Sequence, residues 1–209
     1  MPVVVKICGI KSVELALSAL EYGADMIGLN FSPESKRRVD LKIASSIFNE
    51  LNKNKSNPLQ VVGLFYKNTE SEIRKIISEI PFDFLQFVTH DEFLNWEMVS
   101  SLHKNVIPQI SVKEFITDED LKIYDTEFVI LDSYKQGLGG GSGNSFEWEN
   151  AKQVSRKYLL AGGLNPSNVQ KAISVLQPFG VDVASGVESS PGVKDKNLIK
   201  EFIQNAKRI

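Results

Sequence analysis

The sequence predicts an α/β protein built as a single (β/α)8 barrel, the TIM-barrel architecture, and two observations predict it. Short runs of β-branched and other apolar residues recur eight times, with amphipathic segments between them. Eight such units in 209 residues come to about 26 residues each, a spacing that suits a small closed barrel better than an open doubly wound sheet. Apolar strands alternating with amphipathic helices call for a parallel sheet covered by helices. A flavodoxin-like open sheet with an appendage is the alternative. No linker-like stretch divides the chain, so residues 1–209 read as one domain.

Each unit has its own signal. Val3–Ile7 is too short and too β-branched for a helix and reads as a buried strand. Ser12 caps a helix through Tyr22 that Gly23 ends. Met26–Phe31 is the second strand; a basic loop follows, and Asp40 opens a helix running to about Leu51. Strands then follow at Gln60–Phe65, Phe82–Phe87, Val106–Val112, Glu127–Leu131, Lys157–Ala161 and Phe179–Val183. Helices are expected from Asn68 or Thr69 to Ile80, over Asp91–His103, Thr117–Ile123, Glu147–Val154, Asn165–Val175 and Asp195–Ala206.

Composition narrows the function classes. A net charge of -2 and a pI near 5.8 give no basic field for nucleic acid or an anionic membrane. Lysines along Lys67–Lys75 and Lys194–Lys207 read as solvated helix faces. A single cysteine cannot form an internal disulfide, and His90 and His103 lie far from it, which argues against a structural zinc site. Without a signal-peptide pattern or an 18-residue apolar run, a cytoplasmic protein is expected.

In a barrel the loops after each strand share one rim, where active sites sit. That rim collects Cys8, Arg37, Asp132, Gly162-Gly163 and Ser185-Gly186 from across the chain. Taken alone, Cys8 reads as a small core residue or as a reactive thiol. Asp132, ending the apolar run Phe128–Leu131, is either a turn-binding acid or a proton donor whose pKa partial desolvation raises. Ala161-Gly162-Gly163-Leu164-Asn165-Pro166 and Ala184-Ser185-Gly186-Val187 are either tight turns or a phosphate cradle, with Asn165 as an N-cap and Pro166 at the first helical position. Their adjacency after strands seven and eight favours phosphate. Gly139–Gly143 lacks the Walker pattern and reads as a flexible loop or as a cover over the site. Lys36, Arg37 and Arg38 are a solvated loop or a clamp for a substrate carboxylate.

Together, Lys6-Ile7-Cys8-Gly9-Ile10, Ser35-Lys36-Arg37, Gly140-Gly141-Ser142-Gly143 with Phe146-Glu147-Trp148, Ala161 to Val169, and Val181 to Glu188 with Pro191-Gly192 resemble the phosphoribosylanthranilate isomerase family of tryptophan biosynthesis. The motifs run in the family's order over nearly the whole chain. The resemblance implies an Amadori rearrangement of N-(5-phosphoribosyl)anthranilate to 1-(2-carboxyphenylamino)-1-deoxy-D-ribulose 5-phosphate, without cofactor or metal. It puts the general base on Cys8, the general acid on Asp132 and the anthranilate-binding arginine on Arg37. Gly162, Gly163, Asp182, Ser185 and Gly186 join Arg37 as substrate-binding residues. Cationic groups and N–H donors near Cys8 are expected to increase its thiolate fraction. The partner is a phosphorylated small molecule, and the chain is expected to be a monomer or a homodimer.

Three positions depart from the family pattern. Gln86-Phe87-Val88-Thr89-His90 replaces Gln-Leu-His-Gly, Gln109 stands where a lysine is common, and Arg38 replaces a frequent aromatic. Arg38 offers a second charge for the carboxylate. Indole-glycerol phosphate synthesis would need a lysine and glutamates at strand ends, and aminoimidazole-ribotide isomerisation would need paired aspartates; neither set is evident. A catalytically silent barrel that binds a phosphorylated ligand is the reading from outside enzymology.

Overall fold

A computed structural model describes residues 3–53, 59–91, 95–132 and 148–208. Eight parallel strands close into a barrel in chain order: β1 (Val4–Cys8), β2 (Met26–Asn30), β3 (Gln60–Phe65), β4 (Phe84–Val88), β5 (Val106–Ser111), β6 (Val129–Asp132), β7 (Tyr158–Ala161) and β8 (Gly180–Val183). β1 pairs with β8 through Val4↔Gly180 to Ile7↔Val183, which seals the ring. The helices are α1 (Val13–Glu21), α2 (Leu41–Leu51), α3 (Glu70–Glu79), α4 (Trp96–Leu102), α5 (Val169–Leu176) and α6 (Lys196–Lys207). Among the described residues no helix is long and apolar enough to cross a membrane.

The strands are apolar on both faces because each face has a core to fill. Val5, Ile7, Ile27, Leu29 and Val61 belong to the layer between sheet and helices, with Ala44, Ile47, Ile199 and Phe202 from the helices. Alternate positions point inward, where Met26, Val62, Phe84, Ile107, Phe128, Ile130 and Leu159 form a second core. Ser12, Asp40, Thr69, Asn95 and Asp195 each cap a helix with a side-chain oxygen, and Thr69 with Glu72 forms a capping box. Asp25 and Asp83 play one role two units apart, each accepting from the N–H of a strand residue, Val5 or Val61, at 2.7 Å.

The expected helix at Thr117–Ile123 is a series of turns instead. The aspartates there accept from backbone N–H groups and so compete with helix formation: Asp120 from Thr117, whose hydroxyl it also binds, and Asp118 from Ser155 and Arg156. The Arg156 guanidinium donates to the carbonyls of Leu121, Tyr124 and Thr126 at 2.9–3.1 Å. Where Glu147–Val154 was expected to be helical, the described part holds one 3-10 turn, Trp148–Ala151. Regular α5 begins at Val169 rather than after Asn165; Pro166–Asn168 form a lead-in turn, in which Asn165 accepts from the N–H of Ser167. An antiparallel pair unforeseen in the sequence, β9 (Glu188–Ser190) with β10 (Val193–Lys194), follows β8.

Because the Arg156 guanidinium ties together three carbonyls of the segment that replaces a helix, Arg156→Leu should destabilise the fold by about 2 kcal/mol. Urea unfolding of the two proteins measures this.

Candidate active site

Inward-facing positions change character along the barrel. Below they are apolar; above, toward the carboxyl ends of the strands, they carry Lys6 and Cys8 on β1, Asn30 on β2, Gln86 on β4, Gln109 on β5, Asp132 on β6 and Asp182 on β8. Lys6 is fully buried, and its Nζ lies 3.0 Å from Asp182 Oδ1 across the β1–β8 seam. Burial alone would lower the pKa of Lys6, but the charge and hydrogen bond of Asp182, with Cys8 beside it, raise it above the ordinary value. A lysine in the middle of a buried five-residue strand was the sequence signal for this pair, and sequence reasoning assigned Lys6 no role.

Cys8 ends β1, two residues above Lys6, and is 5% exposed. Its register partner on β2 is Gly28. A Cβ there would come within 2.8 Å of Cys8 Sγ and 3.3 Å of Lys6 Nζ, so glycine makes the room both groups occupy. Burial pushes the Cys8 thiol up; Lys6 and Lys194 pull it down and Asp182 pushes it further up, and burial prevails. The expected cations are therefore present, but they do not bring the thiol below its ordinary value.

Arg37 sits in the loop after β2, which folds around Asn30. Asn30 accepts from the Ser32 N–H at 2.8 Å and donates to Ser35 Oγ, which accepts from the Arg37 N–H. The stem of Arg37 lies across Gly9, whose φ of +81° and lack of a side chain both serve the contact: a Cβ would meet Arg37 Cδ at 2.8 Å. The guanidinium makes a two-pronged pair with Glu188 at 2.7 and 2.8 Å. Glu188 also accepts from Lys194 Nζ at 2.9 Å and Gly192 N–H at 3.1 Å, and Lys194 donates to Ala184 O at 2.7 Å. Thus the β9–β10 hairpin holds Arg37 in place, a duty for Glu188 and Lys194 that the sequence did not reveal. Arg38 is exposed, and its charge bears on Glu72 at the start of α3. His90 is exposed and packs edge-on against Tyr66, with ring centroids 5.5 Å apart.

Asp132 ends β6, three positions from β1 around the ring by way of β7 and β8. Gln109 Nε2 donates to its Oδ2 at 2.6 Å, and Gln86 Nε2 donates to Gln109 Oε1 at 2.7 Å. Gly162 and Gly163, at φ +88° and +65°, follow β7. Gly186 follows β8 and lies so close to this loop that a Cβ would fall 1.8 Å from Leu164 O. The two glycine loops are therefore in contact, and the exposed Ser185 stands beside them. The glycines at 139–143 and the Phe146-Glu147 motif lie outside the described residues.

A thiol, a carboxyl, a buried cation and paired glycine loops on one rim define a (β/α)8-barrel enzyme. The family model described as N-(5'phosphoribosyl)anthranilate (PRA) isomerase matches residues 5–205. An N-(5'-phosphoribosyl)anthranilate isomerase of Leptospira interrogans is 49% identical over 203 residues, 97% of this chain and 94% of the relative. The crystal structure of phosphoribosyl anthranilate isomerase from Thermotoga maritima is 34% identical with a TM-score of 0.82, covering 99% of this chain and 100% of that one. A further crystal structure of this isomerase, 33% identical with a TM-score of 0.78 and covering 99% and 100% of the chains, holds reduced 1-(o-carboxyphenylamino)-1-deoxyribulose 5-phosphate. The chain belongs to the N-(5'-phosphoribosyl)anthranilate isomerase family.

Burial on its own would raise the Glu188 carboxyl, but the Arg37 and Lys194 hydrogen bonds, the Lys194 charge and the Gly192 N–H bring it down to about 2. A carboxyl depressed in the folded state stabilises the fold above its unfolded pKa of about 4.3 and loses that contribution as pH falls toward 2. Glu188→Gln should therefore cost about 2 kcal/mol at pH 7, after a discount for solvent screening, and progressively less between pH 4.5 and 2. Thermal melts of both proteins across that range test it.

Proposed function

We propose that the protein isomerises N-(5-phosphoribosyl)anthranilate to 1-(2-carboxyphenylamino)-1-deoxy-D-ribulose 5-phosphate in L-tryptophan biosynthesis, with Cys8 as general base and Asp132 as general acid. The observation that carries the reading is the pairing of a strand-end thiol on β1 with a strand-end carboxyl on β6, on the rim of a chain of this family.

The chemistry follows from what each group can do. Asp132 gives its proton to the furanose ring oxygen as the C1–O bond breaks, leaving a protonated Schiff base. Cys8, as thiolate, removes the C2 proton, and the electron pair moves toward nitrogen to give the enolamine. Protonation at C1 and loss of the 2-hydroxyl proton complete the ketone. Arg37 binds the anthranilate carboxylate while Glu188 fixes the plane of its guanidinium. Backbone groups of Gly162, Gly163, Ser185 and Gly186 hold the phosphate, aided by the contact between their loops. Asp182 serves the site through Lys6, which in turn lies beneath Cys8.

Two measurements test these roles. In a fluorescence assay following loss of phosphoribosylanthranilate, Cys8→Ser and Asp132→Asn should each lower kcat by about 10²–10⁴-fold; near-normal kcat in either would dismiss that assignment. Burial pushes the Cys8 thiol up, so the thiolate fraction grows with pH while the protonated fraction of Asp132 shrinks; the wild-type rate should be level through neutrality and fall in the alkaline range once the thiol is ionised. A wild-type rate that climbs steadily from pH 7 to 9 would contradict Asp132 as the proton donor.

A further inference from the structure

We infer that Gln109 is a positioning residue for the acid, the last link of a two-amide chain, Gln86 to Gln109 to Asp132, that assigns the donated proton to Oδ1 of Asp132. The inference rests on the acid role proposed for Asp132 and adds how that acid is oriented.

The polarity of the chain follows from hydrogen-bond chemistry. Gln86 Nε2 donates to Gln109 Oε1 at 2.7 Å, so the carbonyl end of Gln109 faces β4 and its NH2 end faces β6. That NH2 donates to Asp132 Oδ2 at 2.6 Å. An amide N–H has no lone pair to accept with. With Gln109 held in this orientation Oδ2 is an acceptor, and the acid proton belongs on Oδ1. The chain is anchored deeply: Gln86 is 1% exposed, and its Oε1 has no hydrogen-bond partner among the described residues. Burying an amide with an unpaired carbonyl is unfavourable, so its presence there is accounted for by what its other end does, which is to orient Gln109.

Neutrality is the second part of the argument. An amide donor steadies the carboxylate that remains after proton transfer, yet it leaves the carboxyl able to take the proton back. A cation in the same position would hold the group ionised more strongly. Gln109 thus orients the acid with little cost to its protonated form. The other titratable groups described on or near the rim, Lys6, Cys8, Asp182, Arg37, Glu188 and Lys194, keep the partners already given when Gln109 is changed.

The test compares Gln109→Leu, Gln109→Glu and Gln109→Lys with wild type in kcat, KM and pH–rate profile. A carboxyl ordinarily titrates at about 3.9 and a thiol at about 8.5, so the acidic limb of the profile reports Asp132. Gln109→Leu should lower kcat at least about tenfold, with KM within about threefold, and move the acidic limb upward because the donor favouring the carboxylate is gone. Gln109→Glu, nearly isosteric, sets an acceptor against an acceptor and should move the limb further up with a larger loss. Gln109→Lys keeps a donor and should recover kcat relative to Gln109→Leu while moving the limb down. Adding Gln86→Leu to Gln109→Leu should cost little more. An unmoved acidic limb in all three variants, or kcat and KM impaired in parallel with loss of the thermal transition in the isosteric Gln109→Glu, would overturn the inference. Asp132→Asn run alongside separates the two levels. Full activity there removes the acid role itself, whereas loss there with unchanged Gln109 variants removes only the positioning.

Discussion

The ion pair between Lys6 and Asp182 is the contact on which the upper half of this barrel depends. It spans the seam where the first and last strands meet, with Lys6 opposite Asp182 in the register. Both groups are buried, so removing either partner strands a charge away from water, a loss of about 3–5 kcal/mol in comparable cases. Closure and chemistry are joined at this point: Cys8 stands two residues above Lys6 on the same side of β1, and the room beside both comes from the absence of a side chain at Gly28.

From that seam the polar network continues along the chain. β8 leads through Ala184 into the β9–β10 hairpin, and Lys194 returns to donate to the Ala184 carbonyl. The same lysine and Arg37 share Glu188. A hairpin late in the sequence thereby orients an arginine from the second βα loop, 151 residues earlier. Gly192 belongs to this arrangement as well, since a Cβ there would fall 2.5 Å from the Lys36 carbonyl. The Arg37 side of the rim is therefore a tertiary construction of three charges, in which the acid has its pKa depressed because two cations and an N–H converge on it.

The far side of the barrel has a different chemistry. There the interior polar groups are amides, not ions, and they run from β4 through β5 to the carboxyl of β6. A charged seam under the thiol and an amide chain beside the carboxyl give Cys8 and Asp132 unlike surroundings.

The sequence by itself determined the eight-strand barrel, because an apolar run of strand length is a local signal and eight of them leave few architectures open. It also brought Cys8, Arg37, Asp132 and the glycine loops to one rim, since in a barrel every strand end has the same address. The helix expected at Thr117–Ile123 was misjudged, because Asp118, Asp120 and Arg156 take backbone groups that a local pattern assigns to a helix; the one expected at Glu147–Val154 is a 3-10 turn over Trp148–Ala151. What only the tertiary structure decided is the partnership of each polar group. Lys6 with Asp182 and Arg37 with Glu188 pair over 176 and 151 residues, and Gln86 meets Gln109 only because β4 and β5 lie side by side. Periodicity says which face a residue takes, whereas partnership is set by strand order and register, and burial then sets the charge state. For Cys8 the outcome turned on that last step: two cations lie near it, and its depth in the barrel outweighs them.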